Sequence, residues 1–251
     1  MKNLPILNYD DNKNAVINPF KKKKFSFPDK LLFAFTMTEK FNKFIADNQA
    51  KIIGEYKRSL NHFYVYQITV NGEKIGVCQG PMGAPAATQF IEFLIANGSK
   101  EILAVGSCGA LKTIPENRFI IPVKALRDEG TSYHYLPAER SIDLDTAFVN
   151  KLINALQKND IEIQKVNTWT TDAFFRETEK LVKEYTDEGY DVVEMECAAL
   201  TACAKFRGVS FAQILFTADT LADSNNWDPR DYGLSSHIKV LQVGSRALAD
   251  M

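Results

Sequence analysis

No stretch of this sequence stays apolar for the roughly 18–20 residues needed to span a bilayer. Its start, Met1-Lys2-Asn3-Leu4-Pro5, leads into polar Asn8-Tyr9-Asp10-Asp11 rather than a signal-peptide core. Both absences point to a cytoplasmic protein with no membrane partner. A basic excess is missing too: 30 Lys and Arg stand against 31 Asp and Glu, which argues against a nucleic-acid partner. The one charge run, Lys21 to Lys24, reads as a solvated segment. Cysteine is scarce, and Cys78, Cys108, Cys197 and Cys203 form no C-x-x-C pair among their apolar neighbours. Buried reduced thiols are expected, without disulfide or zinc.

What is present is ordinary globular composition, 45% hydrophobic and 24% charged over 251 residues, enough to bury a sizeable core. Residues 1–30 carry Pro5, Pro19 and Pro28 amid polar residues. They read as an irregular arm lying on the domain or on a neighbouring subunit, and residues 31–251 as the domain itself. Leu31-Leu32-Phe33-Ala34-Phe35 is a short continuous apolar run, the kind of strand a sheet covered on both faces requires. His62–Val70 and Glu73–Cys78 are β-rich runs joined by Asn71-Gly72, the dipeptide of a type I′ hairpin turn. Strand patterns follow at 101–106, 119–126, 163–169 and 209–217. Helical spacing occupies 85–97, 145–158, 177–188, 196–206 and 235–249. The alternation predicts an α/β fold: a single domain with a central mixed, mostly parallel β-sheet flanked by helices.

Four segments carry candidate chemistry. Gly80-Pro81-Met82-Gly83-Ala84-Pro85 is a glycine-bearing turn before a helix, able to aim N–H groups at an anion or simply to reverse the chain. In Val105-Gly106-Ser107-Cys108-Gly109, glycines bracket a hydroxyl at a strand's carboxyl end, the edge where open α/β sheets bind ligands. Glu194-Met195-Glu196 places two carboxylates among apolar residues at a strand-to-helix junction. Charge there favours a helix N-terminus, but an unpaired buried carboxylate is costly and a hydroxyl-rich ligand would offset it. Asp219 follows a hydrophobic strand, as a helix cap or as an acid aimed into a site.

In this order the segments resemble the nucleoside phosphorylase and hydrolase superfamily, which includes purine nucleoside phosphorylase, uridine phosphorylase and methylthioadenosine nucleosidase. The similarity runs from about Leu31 to the C-terminus. It implies the nucleoside phosphorylase fold and N-glycosidic cleavage of a nucleoside, without metal or cofactor, with phosphate as co-substrate. By resemblance Glu196 grips the ribose hydroxyls, Met195 packs on the sugar, Glu194 assists, and Asp219 donates a proton toward a purine base. Phe174 in Thr171-Asp172-Ala173-Phe174-Phe175 stacks on the base, Arg230 supports Asp219, and His134 reaches the ribose or a neighbour's pocket. His62 and His237 read as structural, and Tyr133 and Trp169 as core aromatics.

The departures bear on the nucleophile. Phosphorolytic relatives hold phosphate with a Gly-Asp-Pro-x-Arg loop, an arginine before the Gly-Ser turn and a third from a neighbouring subunit. Here Thr36-Met37-Thr38-Glu39-Lys40, Ala104 and the vicinity of Asn61 stand in those places. Lys40, Gly83, Gly106 and Ser107, with Arg58 nearby, are the remaining phosphate-binding candidates, and arginine's fork is poorly replaced by lysine. The expectation is a purine nucleoside phosphorylase acting as a homo-oligomer. A hydrolytic nucleosidase, a uridine phosphorylase and a non-catalytic nucleoside-binding protein stand as alternatives.

Overall fold

A computed structural model of the chain describes residues 4–59, 62–223 and 225–251. Ten strands and six helices alternate as β1 (Lys30–Phe35), α1 (Thr38–Asp47), β2 (Lys51–Lys57), β3 (His62–Val70), β4 (Glu73–Gln79), α2 (Ala84–Ala96), β5 (Glu101–Ala110), β6 (Phe119–Asp128), β7 (Ser141–Asp143), α3 (Thr146–Lys158), β8 (Gln164–Thr171), α4 (Glu179–Asp187), β9 (Val192–Glu194), α5 (Cys197–Arg207), β10 (Ser210–Thr220) and α6 (Ser236–Asp250). All strands join one sheet in the order β10-β6-β8-β9-β5-β1-β4-β3-β2, with β7 beside β6 and a further β10–β5 pairing. That pairing closes β5, β10, β6, β8 and β9 into a ring.

The sheet is mixed, as the alternation requires, and its long central ladders are mostly parallel. β1–β4, β1–β5, β5–β10, β6–β8 and β8–β9 are parallel. β2–β3, β3–β4, β5–β9, β6–β7 and β6–β10 are antiparallel. The antiparallel pairs lie at the ring and the outer edge, where hairpins and short return strands replace helical crossovers.

β1 shows why its run is uniformly apolar. Leu32 and Ala34 enter one core with Val240, Leu241 and Leu248 of α6, while Leu31 and Phe33 enter another with Phe90, Ile91 and Leu94 of α2. A strand covered on both faces has no solvent side to leave polar. The hairpin, β5, β6, β8, β10, α2, α3, α5 and α6 fall where periodicity places them, within a few residues at each end. α1 and β2 are not marked by the sequence pattern. α1 buries only Phe41 and Phe44, too few for a helical stripe, and β2 is an edge strand with Lys51 and Ile52 exposed.

The arm lies on its own domain. Its 3-10 turns at Pro5–Leu7 and Pro19–Lys21 lead to Phe25 and Phe27, whose rings pack with Phe93 of α2. The Asn97 side chain accepts hydrogen bonds from the amides of Lys24 and Phe25, and Arg207 donates to the Lys13 carbonyl. The four cysteines are free and buried, with thiols pushed well up by desolvation. Among the described residues no helix is long and apolar enough to cross a membrane.

Candidate active site

A cavity of about 960 Å³ opens at the carboxyl ends of β1, β4, β5, β9 and β10. Strand ends are where a parallel region leaves room for loops to converge. Phe35, Thr36, Gln79, Gly80 and Ser107 line one part. Met195, Glu194 and Glu196 line the centre, and Asp219, Phe174, Phe175, Glu177 and Trp227 line another part. Gly106 brings β5 hard against β1: a Cβ there would stand 3.0 Å from the Phe35 Cβ and 3.2 Å from the Phe35 carbonyl oxygen. It therefore packs two strands together, while the next residue, Ser107, faces the cavity.

The adjacent acids do different work. Glu194 accepts from the Thr170 hydroxyl at 2.6 Å, the Thr168 hydroxyl at 3.4 Å, and the amides of Glu196 at 2.8 Å and Cys197 at 2.7 Å. It satisfies the exposed N–H groups that begin α5. Glu196 reaches the other way, to the Gly83 amide at the start of α2, 2.6 Å away. Burial pushes both carboxyls above the usual range, and the Glu194 charge adds to the rise at Glu196. Four donors offset the cost of burial at Glu194 and fewer do so at Glu196, whose carboxylate is left to be satisfied by further donors. Glu194→Ala would strand the Thr170 hydroxyl and two amides. The expected outcome is a loss of about 3 kcal/mol of stability, measured by urea denaturation.

Asp219 ends β10 in the cavity and accepts a 2.8 Å hydrogen bond at Oδ2 from the Trp227 indole N–H. Glu177 shares this region. Burial, and then the Asp219 charge, push its carboxyl up to about 7. The Phe174 and Phe175 rings stand 4.0 Å apart and are both exposed to the opening.

Other expected site residues lie elsewhere. Arg230 makes no direct bond to Asp219: its guanidinium donates to the carbonyls of Ile114 at 2.9 Å and Ala218 at 3.4 Å, tying the loop before α6 to the sheet. Gly83 commits its amide to Glu196 rather than to an anion. Lys40 pairs with Glu39 on α1, outside the cavity lining. His134 is exposed on a 3-10 turn, also outside it. Arg58 covers the Tyr56 ring, and Asn61 lies outside the described residues. His62 pairs with Glu55, and His237 packs on Phe216 with its ring value lowered by burial. Tyr133 donates to the Arg127 carbonyl, and Trp169 is buried against Tyr185 with its N–H on Asp128.

Sequence reasoning missed Trp227, Glu177, Phe175 and Met82. Trp227 left only a faint mark, as an isolated aromatic in the polar stretch between Asp223 and Asp228. The cavity's charge was equally invisible. Glu177, Glu179, Glu194, Glu196, Asp219 and Asp223 line it, and among the described lining residues there is no Lys, Arg or His.

Residues 37–251 match the family described as the phosphorylase superfamily. A guanosine phosphorylase of Halorubrum lacusprofundi is 27% identical over 164 residues, covering 65% of this chain and 68% of that protein. A DeoD-type purine nucleoside phosphorylase of Bacillus cereus is 30% identical over 159 residues, covering 60% of this chain and 66% of its own length. The matched region thus spans about two thirds of these relatives. The solved purine nucleoside phosphorylase of Toxoplasma gondii superposes with a TM-score of 0.76 at 19% identity, covering 91% of this chain and 93% of that one. The AMP nucleosidase of Bacteroides thetaiotaomicron gives 0.69 at 20% identity, covering 89% and 88%. At these identities the structural likenesses establish the shared fold, and the family match extends through nearly all of the domain: the chain belongs to the phosphorylase superfamily.

Proposed function

We propose that this protein is a purine nucleoside phosphorylase, transferring the pentosyl group of a purine nucleoside to phosphate and releasing free base and ribose 1-phosphate. The observation that carries the reading is that Glu196, at the start of α5, and Asp219, near the end of β10, line one cavity together with the Phe174 and Phe175 rings. Breaking the C1′–N bond leaves positive charge on the sugar and negative charge on the base. A buried Glu196 carboxylate would accept hydrogen bonds from the ribose hydroxyls and fix the sugar, at an energy that repays its desolvation. Asp219 supplies an acid at the departing base, and the phenylalanine rings offer apolar faces to it. The Ser107 hydroxyl is the polar group best placed for the nucleophile. The relatives named as guanosine and purine nucleoside phosphorylases support the same substrate class.

The lining, which holds no cation among its described residues, favours a second reading, hydrolysis with water as nucleophile. Phosphate is a dianion and six carboxylates surround the space, so phosphorolysis needs a positive charge from a neighbouring subunit of a homo-oligomer. Water needs none. Base release from inosine, guanosine, adenosine and uridine, with and without phosphate, separates the two when ribose 1-phosphate and free ribose are both quantified. The expected result is purine release that demands phosphate and yields ribose 1-phosphate. Free ribose formed equally without phosphate would replace the phosphorylase by a nucleosidase, and no release from any substrate would overturn both.

A further inference from the structure

The Arg230 guanidinium donates to backbone carbonyls and makes no hydrogen bond to Asp219, and no cation lines the cavity among its described residues. What it has is the Trp227 indole. We propose that Trp227 is the positioning residue of the acid, holding Asp219 Oδ2 so that Oδ1 is the oxygen presented to the departing base. The inference rests on the nucleoside-cleaving reading and deepens it.

Two contacts define the carboxyl group. Oδ2 accepts the indole N–H at 2.8 Å. Oδ1 lies 3.3 Å from where a Cβ on Gly109 would be, in a space further bounded by Leu221 and Val193 at 3.0 and 3.1 Å from that point. Gly109 thus leaves open the place that Oδ1 occupies, and the indole fixes the carboxyl plane. An indole is a single neutral donor with no acceptor capacity, so it orients the acid without adding charge. Trp227 in turn packs near Tyr232, its ring centroid 6.3 Å away, and both line the cavity. Glu177, with its carboxyl pushed up to about 7 by burial and by Asp219, lies in the same region.

The step balances as follows. The C1′–N bond breaks with its electron pair going to the base, the proton on Asp219 Oδ1 passes to a base nitrogen, and the base leaves neutral. The nucleophile forms the new bond to C1′, phosphate through one of its anionic oxygens, or water with release of one of its protons to solvent. The Asp219 carboxylate left behind keeps its hydrogen bond from the indole, which is stronger to the ionised form, and a proton returns from the Glu177 carboxyl or from solvent.

Trp227→Phe keeps an aromatic ring and removes only the N–H. Its effect is read on guanosine and on 7-methylguanosine, whose quaternised base departs without needing a proton. With guanosine, kcat is expected to fall roughly 10–100-fold, with KM little changed, while turnover of 7-methylguanosine is retained. Equal losses on both substrates would reduce Trp227 to a wall of the cavity and overturn the proposal. A second measurement is independent of turnover. In protein labelled with 15N-tryptophan, Asp219→Asn is expected to shift the Trp227 indole N–H resonance, assigned by its loss in Trp227→Phe, and to leave that of Trp169 in place. An unmoved Trp227 resonance would overturn the contact itself. Absence of turnover in the unmodified protein would instead remove the functional reading while the resonance still reports on the pair.

Discussion

Glu196→Gln is expected to lower kcat/KM for a purine nucleoside by about 10³-fold, the loss of two charge-assisted hydrogen bonds to ribose, while making the empty protein more stable. The same burial causes both effects. Desolvation and the Glu194 charge raise the folded Glu196 carboxyl above its unfolded value of 4.5. A carboxyl raised on folding costs nothing below the unfolded value, where it is protonated in both states. The cost grows as pH climbs toward the folded value, because only the unfolded chain then ionises freely. Glutamine keeps an oxygen for the Gly83 amide and never ionises. Its stabilisation should be small at pH 5, under about 1 kcal/mol, and grow to about 4 kcal/mol at pH 8, roughly 10 °C in Tm for a domain of this size. Thermal melts at the two pH values check the sign. Equal Tm values for variant and parent at pH 8 would mean that Glu196 is not held as a strained acid. Retained activity would remove it from the ribose site.

Asp219→Asn should reduce kcat on guanosine by roughly 10²–10⁴-fold, the usual worth of a placed general acid, with KM nearly unchanged. Asparagine offers the indole N–H of Trp227 a carbonyl oxygen in place of Oδ2, so the loop contact at 2.8 Å has a substitute acceptor. The loss should therefore fall on chemistry rather than on folding. Steady-state kinetics beside a melting curve separates the two, and a drop in Tm that tracks the loss of rate would assign Asp219 a structural part instead. The two substitutions also differ in kind. Glu196→Gln acts on the sugar and should impair every nucleoside, whereas Asp219→Asn acts on the base and should spare one whose base needs no proton.

Residues that belong to regular elements were legible because their role is local and periodic. The β1 run, the Asn71-Gly72 turn and the stripe Phe148, Leu152, Leu156 of α3 each follow from burial on a face whose spacing the backbone sets. Motif resemblance brought Ser107, Glu196, Asp219 and Phe174 to one cavity, since strand ends at one sheet edge converge. It gave Glu196 the ribose and Glu194 an assisting part, but supplied no physical reason for the difference between these acids. They are two residues apart and chemically identical, and only the fold puts one against the α5 amides and Thr170 and the other at the mouth of α2.

The loop between β10 and α6 marks the other boundary. Arg230 and Trp227 sit three residues apart in a stretch without periodicity, so nothing local says which of them turns toward Asp219. Glu116 accepts the amides of Asp231 and Gly233, and Arg230 takes carbonyls from Ile114 and Ala218. All of these but the Ala218 contact bridge more than a hundred residues of chain, and together they leave the indole facing the acid. By itself the sequence determined the layered α/β plan, the reduced thiols and the acidic residues at the ends of strands, because hydrophobic period and residue chemistry are properties of short segments. Which acid is bonded to protein and which is left for a ligand, and that the cavity is lined by carboxylates without a cation among its described residues, was decided only in three dimensions, where distant backbone donors and acceptors claim some side chains and leave others free.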